Sequence, residues 1–150
     1  AALSFLGLGQ QPPSPSWGQM LNVAKNFMEQ APWMSVAPGD AIFLAVLGVT
    51  LLVDVLRRAA TDPALSRLSV ALPVSGLDGT LADRWLEPGV VRAKTGTLVS
   101  VVSLAGYAPT ADGRLLAFAA MADGIPYAGS YGARLRIDEW VNSLLACGCR

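Results

Sequence analysis

An α+β fold is the expectation for this chain: a helical N-terminal segment, then a partial antiparallel sheet closed by a C-terminal helix. Three observations predict it. Residues 41–53 form an uncharged, mostly apolar run. Residues 90–97, 99–108 and 114–121 are candidate strands, and the last two are joined by Pro109-Thr110-Ala111-Asp112-Gly113, whose Asp-Gly pair is a strong hairpin signal. Ile137, Trp140, Val141, Leu144 and Leu145 then recur at helical spacing, predicting an amphipathic helix that ends near Gly148 and covers one face of the meander.

The N-terminal elements follow the same logic. Residues 1–9 are apolar and punctuated by glycine. Residues 10–18 (QQPPSPSWG) read as a loop, because Pro12, Pro13 and Pro15 remove backbone donors. Residues 19–30 read as a short amphipathic helix with Met20, Val23, Ala24, Phe27 and Met28 on one face. Residues 31–40 read as broken by Pro32, Pro38 and Gly39, with Asp40 as the N-cap of the next helix. That helix should run to about Ala60, with Leu52, Val55, Leu56 and Ala59 sharing a face and Arg57 and Arg58 pointing out. Its uncharged core is about two turns short of the ~20 apolar residues a membrane span needs, so length alone favours a buried core helix. Residues 72–81 (LPVSGLDGTL) form a turn-rich loop.

Composition narrows the chemistry. The 150 residues suffice for one ordinary domain, and the formal net charge of zero gives no sign of a nucleic-acid partner. Histidine is absent, which removes the usual general base and the commonest metal ligand. No cofactor is implied. Residues 1–50 carry only Lys25, Glu29 and Asp40 as charges, while the other nineteen charges lie in residues 51–150. This marks a boundary near residue 50 and suggests two parts of different origin. No basic n-region is visible, and the chain reads as a piece of something longer. Cys147 and Cys149 are too few for a four-ligand zinc site and awkwardly spaced for a mutual disulfide, so they read as two thiols in a frayed tail.

One tripeptide carries chemistry. Lys94-Thr95-Gly96 sits in a candidate strand. In serine acyl-transferases acting on D-Ala-D-Ala or β-lactams, Ser-x-x-Lys, Ser-x-Asn and Lys-Thr-Gly build the site together. A peptide can lie beside such a strand as an added strand. Lys94 and Thr95 then bind a terminal carboxylate, Thr97 adds a second hydroxyl, and Gly96 lets a backbone approach closely. The flanking series LPVSGLDGTLADR (residues 72–84), VRAKTGTL (91–98), SLAGYAPTADGRLLAFAAMADG (103–124) and ACGCR (146–150) resembles the class C penicillin-binding D-alanyl-D-alanine carboxypeptidases and endopeptidases. The resemblance extends back through residues 52–64 (LVDVLRRAATDPA). It implies a sheet of the penicillin-binding/β-lactamase type and the carry-over of Lys94, Thr95 and Gly96. It implies a structural role for Asp78 and Gly79. Its substrates would be the peptidoglycan stem peptide or a β-lactam, in the periplasm or cell envelope. The departure is decisive for activity. No Ser-x-x-Lys and no Ser-x-Asn occurs, and Ser66, Ser69, Ser75, Ser100 and Ser103 all fail both spacings. Without an activated serine there is no acyl-enzyme.

Residues 1–21 (ALSFLGLGQQPPSPSWGQML, after the first Ala) and 31–52 (APWMSVAPGDAIFLAVLGVTLL) instead resemble the C-terminal end of dipeptide/oligopeptide ABC transporter permeases. There the region of residues 41–52 belongs to the last transmembrane helix, which implies an inner-membrane location. Asp40 stands where an apolar residue is expected. The expected division is therefore a permease-like segment, 1–52, and the C-terminal part of a penicillin-binding domain, 53–150. A local likeness around residues 51–54 would have guided the join. Arg57 and Arg58 directly follow the apolar run, so the positive-inside tendency would hold Lys94 on the side away from peptidoglycan. The sheet would also lack the helical layer of the complete family domain, leaving an exposed apolar face.

Overall fold

The computed structural model describes residues 16–148. The apolar residues 1–9 and the start of the proline-rich loop, to residue 15, lie outside them, as do Cys149 and Arg150. By its internal contacts the chain falls into two compact units, Ala1–Thr50 and Leu51–Arg150.

In the first unit, helix α1 spans Trp17–Ala24 and passes into a 3-10 turn at Lys25–Phe27. Ser16 starts it: the Gln19 N–H donates to the Ser16 hydroxyl at 3.3 Å, satisfying an otherwise unpaired donor. The amphipathic face expected here is not packed. Ala24 is buried, but Met20, Val23, Phe27 and Met28 are exposed.

Helix α2 spans Trp33–Thr61, 29 residues, and overturns two expectations. It starts before residue 41, and Asp40 lies inside it rather than capping it. Pro38 is also inside the helix. A proline near the start removes one backbone bond, whereas each following apolar residue adds one once the helix is nucleated. Pro32 precedes the first turn, and its carbonyl accepts bonds from the Ser35 N–H at 3.2 Å and the Ser35 hydroxyl at 2.7 Å. Nor is α2 a buried core helix. Of its most apolar 18-residue window only 6% is buried. Phe43, Leu44, Val46, Leu47 and Leu51 are exposed.

The second unit is α+β. It contains the end of α2, a short helix α3 at Ser66–Ala71, strands β1 (Arg92–Thr97), β2 (Val102–Pro109) and β3 (Leu115–Ala122), and helix α4 at Ser130–Leu145. The three strands form an antiparallel sheet in the order β1-β2-β3. Strand period and the Asp-Gly turn predicted this meander. Gly113 takes φ 80° in the turn, and the Arg114 N–H donates to the Thr110 hydroxyl at 3.1 Å.

Period-two alternation sorts the side chains. Ala93, Leu104 and Phe118 lie on one face with Val102, Ala108 and Leu81, against Ile137 and Val141 of α4. Fully burying a Leu, Val, Ile or Phe side chain of this cluster contributes about 1.5–3 kcal/mol. The other face carries Lys94, Gly96, Ser103, Ala105, Tyr107 and Met121. Tyr107 is buried and donates to the main-chain carbonyl of Leu56 at 2.5 Å. Leu56 and Ala59 are buried, whereas Leu52 and Val55, expected on the same packed face, are exposed. Toward the far end of this face Met121 is 58% exposed.

Helix α4 ends at Leu145 with Ala146 as its C-cap, before Gly148. The tail is not frayed up to Cys147. Its N–H donates to Leu144 O at 3.2 Å and its carbonyl accepts from the Ala111 N–H at 3.3 Å. Cys147 is disulfide-bonded, which corrects the expectation of a free thiol.

Candidate functional site

Strand β1 is an edge strand, and its outer edge is only half occupied. At its N-terminal end, Val74 bridges Arg92, and the Ala93 N–H donates to Pro73 O at 3.0 Å. That bond shows that Ala93 turns its backbone groups away from β2. By alternation Thr95 and Thr97 do the same. Beyond Ala93 no strand pairs with this edge among the described residues. A free row of N–H and C=O groups is a template for an added extended peptide.

The sequence-predicted residues frame that edge. Lys94 projects from the face it shares with Gly96, and its ammonium donates to the carbonyl of Thr95 at 3.0 Å. Thr95 and Thr97 lie on the opposite face by alternation, with Leu104 and Val102 as register partners. Lys94 and Gly96 pair with Ala105 and Ser103. The cation and the two hydroxyls therefore meet only at the edge. Lys94 supplies a fixed positive charge there, and charge-assisted hydrogen bonds to a carboxylate are the strong ones.

Gly96 has an internal reason to lack a side chain. A Cβ there would lie 2.4 Å from the Ser103 hydroxyl oxygen, and that hydroxyl donates to the Gly96 carbonyl at 3.3 Å. Gly106 is tighter still, because a Cβ would meet Arg92 O at 2.1 Å and Ala93 Cα at 2.5 Å. The close approach of β1 to β2 behind the motif thus depends on two glycines.

The loop that flanks the edge is held from within. The Asp78 carboxylate accepts the Val74 N–H at 2.5 Å. Gly79 takes φ 56° beside Pro73. Ser75 is fully buried, donates to Glu87 O at 2.5 Å and accepts from the Val91 N–H at 3.1 Å. Its hydroxyl is committed to tying the loop to the start of β1. Sequence spacing excluded Ser75 as a nucleophile but did not reveal this role. A further link joins the loop to α4: Arg84 donates through Nε at 2.9 Å and Nη2 at 2.5 Å to one oxygen of Asp138. Side-chain exposure is 9% for Arg84 and 2% for Asp138, so the pair is buried. No short-range pattern signals it, since the two residues are far apart in sequence. No group of His, Cys, Asp and Glu suited to a metal occurs among the described residues.

Comparison with known proteins finds two relationships. Residues 46–144 match the D-Ala-D-Ala carboxypeptidase 3 (S13) family. Among solved structures, penicillin binding protein 4 (dacB) from Haemophilus influenzae is 32% identical, with a TM-score of 0.45, covering 48% of this chain and 17% of that one. The same protein complexed with a novel β-lactam is 28% identical, with a TM-score of 0.47, over 59% of this chain and 22% of that one. Separately, the chain is 57% identical over 65 residues to the glutathione transport system permease protein GsiD of Pectobacterium atrosepticum, covering 43% of this chain and 21% of that protein. It is 52% identical over 65 residues to the di/tripeptide transport system permease protein DppC of Pseudomonas aeruginosa. The chain thus spans about a fifth of the curated relatives it matches, 21% of each. Together the family match and the permease match exceed the chain's 150 residues, so the two stretches overlap. Through residues 46–144 the chain belongs to the D-Ala-D-Ala carboxypeptidase 3 (S13) family.

Proposed function

We propose that residues 53–150 are the C-terminal part of a serine-type D-Ala-D-Ala carboxypeptidase domain, joined to a permease-like segment of residues 1–52, and that they bind substrate without turning it over. The observation that carries this reading is the half-occupied outer edge of β1, with the Lys94 ammonium resting on it. An extended peptide ending in a carboxylate adds along Thr95 and Thr97. Lys94 and the Thr95 hydroxyl bind the carboxylate, Thr97 offers a second hydroxyl, and Gly96 keeps the approach clear. The fitting ligands are a peptidoglycan stem peptide ending in D-Ala-D-Ala and a β-lactam, which carries an equivalent carboxylate. No Ser-x-x-Lys is present to supply a nucleophile, so the edge holds ligand without acylation.

Two measurements test this. Incubation with a fluorescent penicillin should leave no label on a denaturing gel, and stable labelling would show that a nucleophile exists after all. Retention of a D-Ala-D-Ala peptide should be weak and lost in Lys94→Ala. Retention that ignores Lys94 would sink the binding role.

A second reading is favoured by the 57% identity to a permease over 65 residues. On that reading the chain acts as an inner-membrane component of a peptide ABC transporter. Co-purification with a transporter ATPase would support it over the carboxypeptidase reading. A third is a join of two incomplete genes with no evolved function, to which the overlap of the two matched stretches lends support. Sequencing the locus across codons 45–60 separates it, because a continuous upstream frame encoding Ser-x-x-Lys would argue against a join.

A further inference from the structure

We propose that two copies of this chain pair antiparallel along the free edge of β3, joining their sheets into one that has β1 at each outer end. The proposal does not require the ligand reading above, and it leaves the β1 edge open.

The outer edge of β3 is fixed by the turn before it. The Thr110 N–H donates to the Arg114 carbonyl at 2.8 Å, so Arg114 turns its backbone toward β2. By alternation Leu116, Phe118, Ala120 and Ala122 do the same, while Leu115, Ala117, Ala119 and Met121 turn their N–H and C=O groups outward. No strand pairs with those groups among the described residues.

The two edges of the sheet are guarded differently. Proteins blunt a free edge with charge, proline, a bulge or a cover. Strand β1 has two of these devices. It carries Arg92 and Lys94, and Val74 covers its start. Two β1 edges laid together would set those cations against each other. Strand β3 has none of them. Its eight residues, LLAFAAMA, hold no charge and no proline, and its register against β2 is unbroken, so no bulge bends it.

The side chains of β3 suit a second copy of the same strand. A twofold axis at Phe118 sets Leu115 opposite Met121 and Ala117 opposite Ala119. Every outward-facing residue then meets another, and each such pair exchanges two backbone hydrogen bonds. Leu115 and Met121 share the face that carries Lys94, and they are 59% and 58% exposed. They are the two large side chains of the outward set, and the axis brings them together at both ends, with the alanines between. On the opposite face Trp140 stands edge-on to Phe118, with ring centroids 6.0 Å apart, and is itself exposed. Charge agrees with the direction. Antiparallel pairing sets the end of β3 that carries Arg114 beside the end that carries Asp123, whereas parallel pairing sets like beside like. Arg114 lies 3.4 Å from Asp112, so one cation would serve both carboxylates.

The test uses the full chain purified in detergent. It should sediment as a dimer in analytical ultracentrifugation. The amides of Leu115, Ala117, Ala119 and Met121 should exchange slowly at high protein concentration and fast on dilution. Leu115→Lys with Met121→Lys should give a monomer, because lysines then face each other at both ends. Leu115→Glu with Met121→Lys should restore the dimer, because the axis pairs position 115 with position 121. In both variants the amides of Phe118 and Ala120, which face β2, should stay protected, and this separates lost pairing from lost folding. A monomeric parent, a dimer that the paired lysines leave intact, filaments grown by head-to-tail contact of β1 with β3, or a charge swap that stays monomeric would each overturn the proposal.

Discussion

The phenol of Tyr107, on the central strand β2, donates a hydrogen bond to the main-chain carbonyl of Leu56 in α2, at 2.5 Å and out of contact with solvent. A tyrosine is buried with its hydroxyl only where a partner receives it. Here the partner is a helical backbone, so the bond secures the end of α2 to the face of the sheet that carries Lys94.

Tyr107→Phe should therefore destabilise the unit by about 1 kcal/mol, the usual net worth of such a bond. The cost is modest because the helical carbonyl keeps its own intrahelical environment. Urea unfolding in detergent, monitored by tryptophan fluorescence, measures it. The effect should depend on pH. Burial raises the Tyr107 pKa above the ordinary tyrosine value. A group whose pKa is raised on folding contributes stability that is complete below the unfolded value, about 10, and is lost as pH rises through the folded value. The gap between the parent and Tyr107→Phe should be constant at neutral pH and shrink above about pH 10. A gap that widens there would contradict the assignment.

The Arg84–Asp138 pair should behave as a buried ion pair. Asp138→Asn alone leaves a guanidinium buried without its counter-charge and should cost about 3–5 kcal/mol. Arg84→Met combined with Asp138→Leu removes both charges and should recover most of that loss, because desolvation offsets much of the attraction between buried charges. Thermal unfolding of the parent, Arg84→Met, Asp138→Leu and the double variant gives the coupling directly. Additive losses would show that each residue acts through separate contacts.

Much of the second unit was legible because its signals are local. Alternation over residues 99–108, the Asp112-Gly113 turn and the helical recurrence of Ile137 and Val141 each need only a few neighbouring residues to read. The end of α2 was legible, near Ala60, but its start was not. Pro38 and Asp40 are strong local stop and start signals, and the length of the apolar run that follows overrides both. Lys94, Thr95, Gly96 and Thr97 could be singled out by motif. What sets their surroundings could not, because Ser75 with Glu87, Arg84 with Asp138 and Tyr107 with Leu56 are pairings across the fold. Nothing local marks Gly106, whose need to lack a side chain comes from the backbone of β1 lying against it.

That backbone approach yields the last prediction. At Gly96 an added methyl would strike only the hydroxyl of Ser103, and the Ser103 Cβ lies a comfortable 3.8 Å away. Gly96→Ala should cost about 1–3 kcal/mol, as overpacking does. Adding Ser103→Ala should relieve most of it, giving a favourable coupling between the two substitutions. At Gly106 no such relief exists, because the atoms in the way are the carbonyl of Arg92 and the Cα of Ala93. Gly106→Ala should force β1 away from β2 and expose the amides of Arg92, Lys94 and Gly96, which face β2, to exchange, whatever side chain stands at position 103. Hydrogen exchange followed by mass spectrometry separates the cases. Slow exchange in Gly106→Ala, or no rescue of Gly96→Ala by Ser103→Ala, would show that the two glycines do not set the spacing behind Lys94.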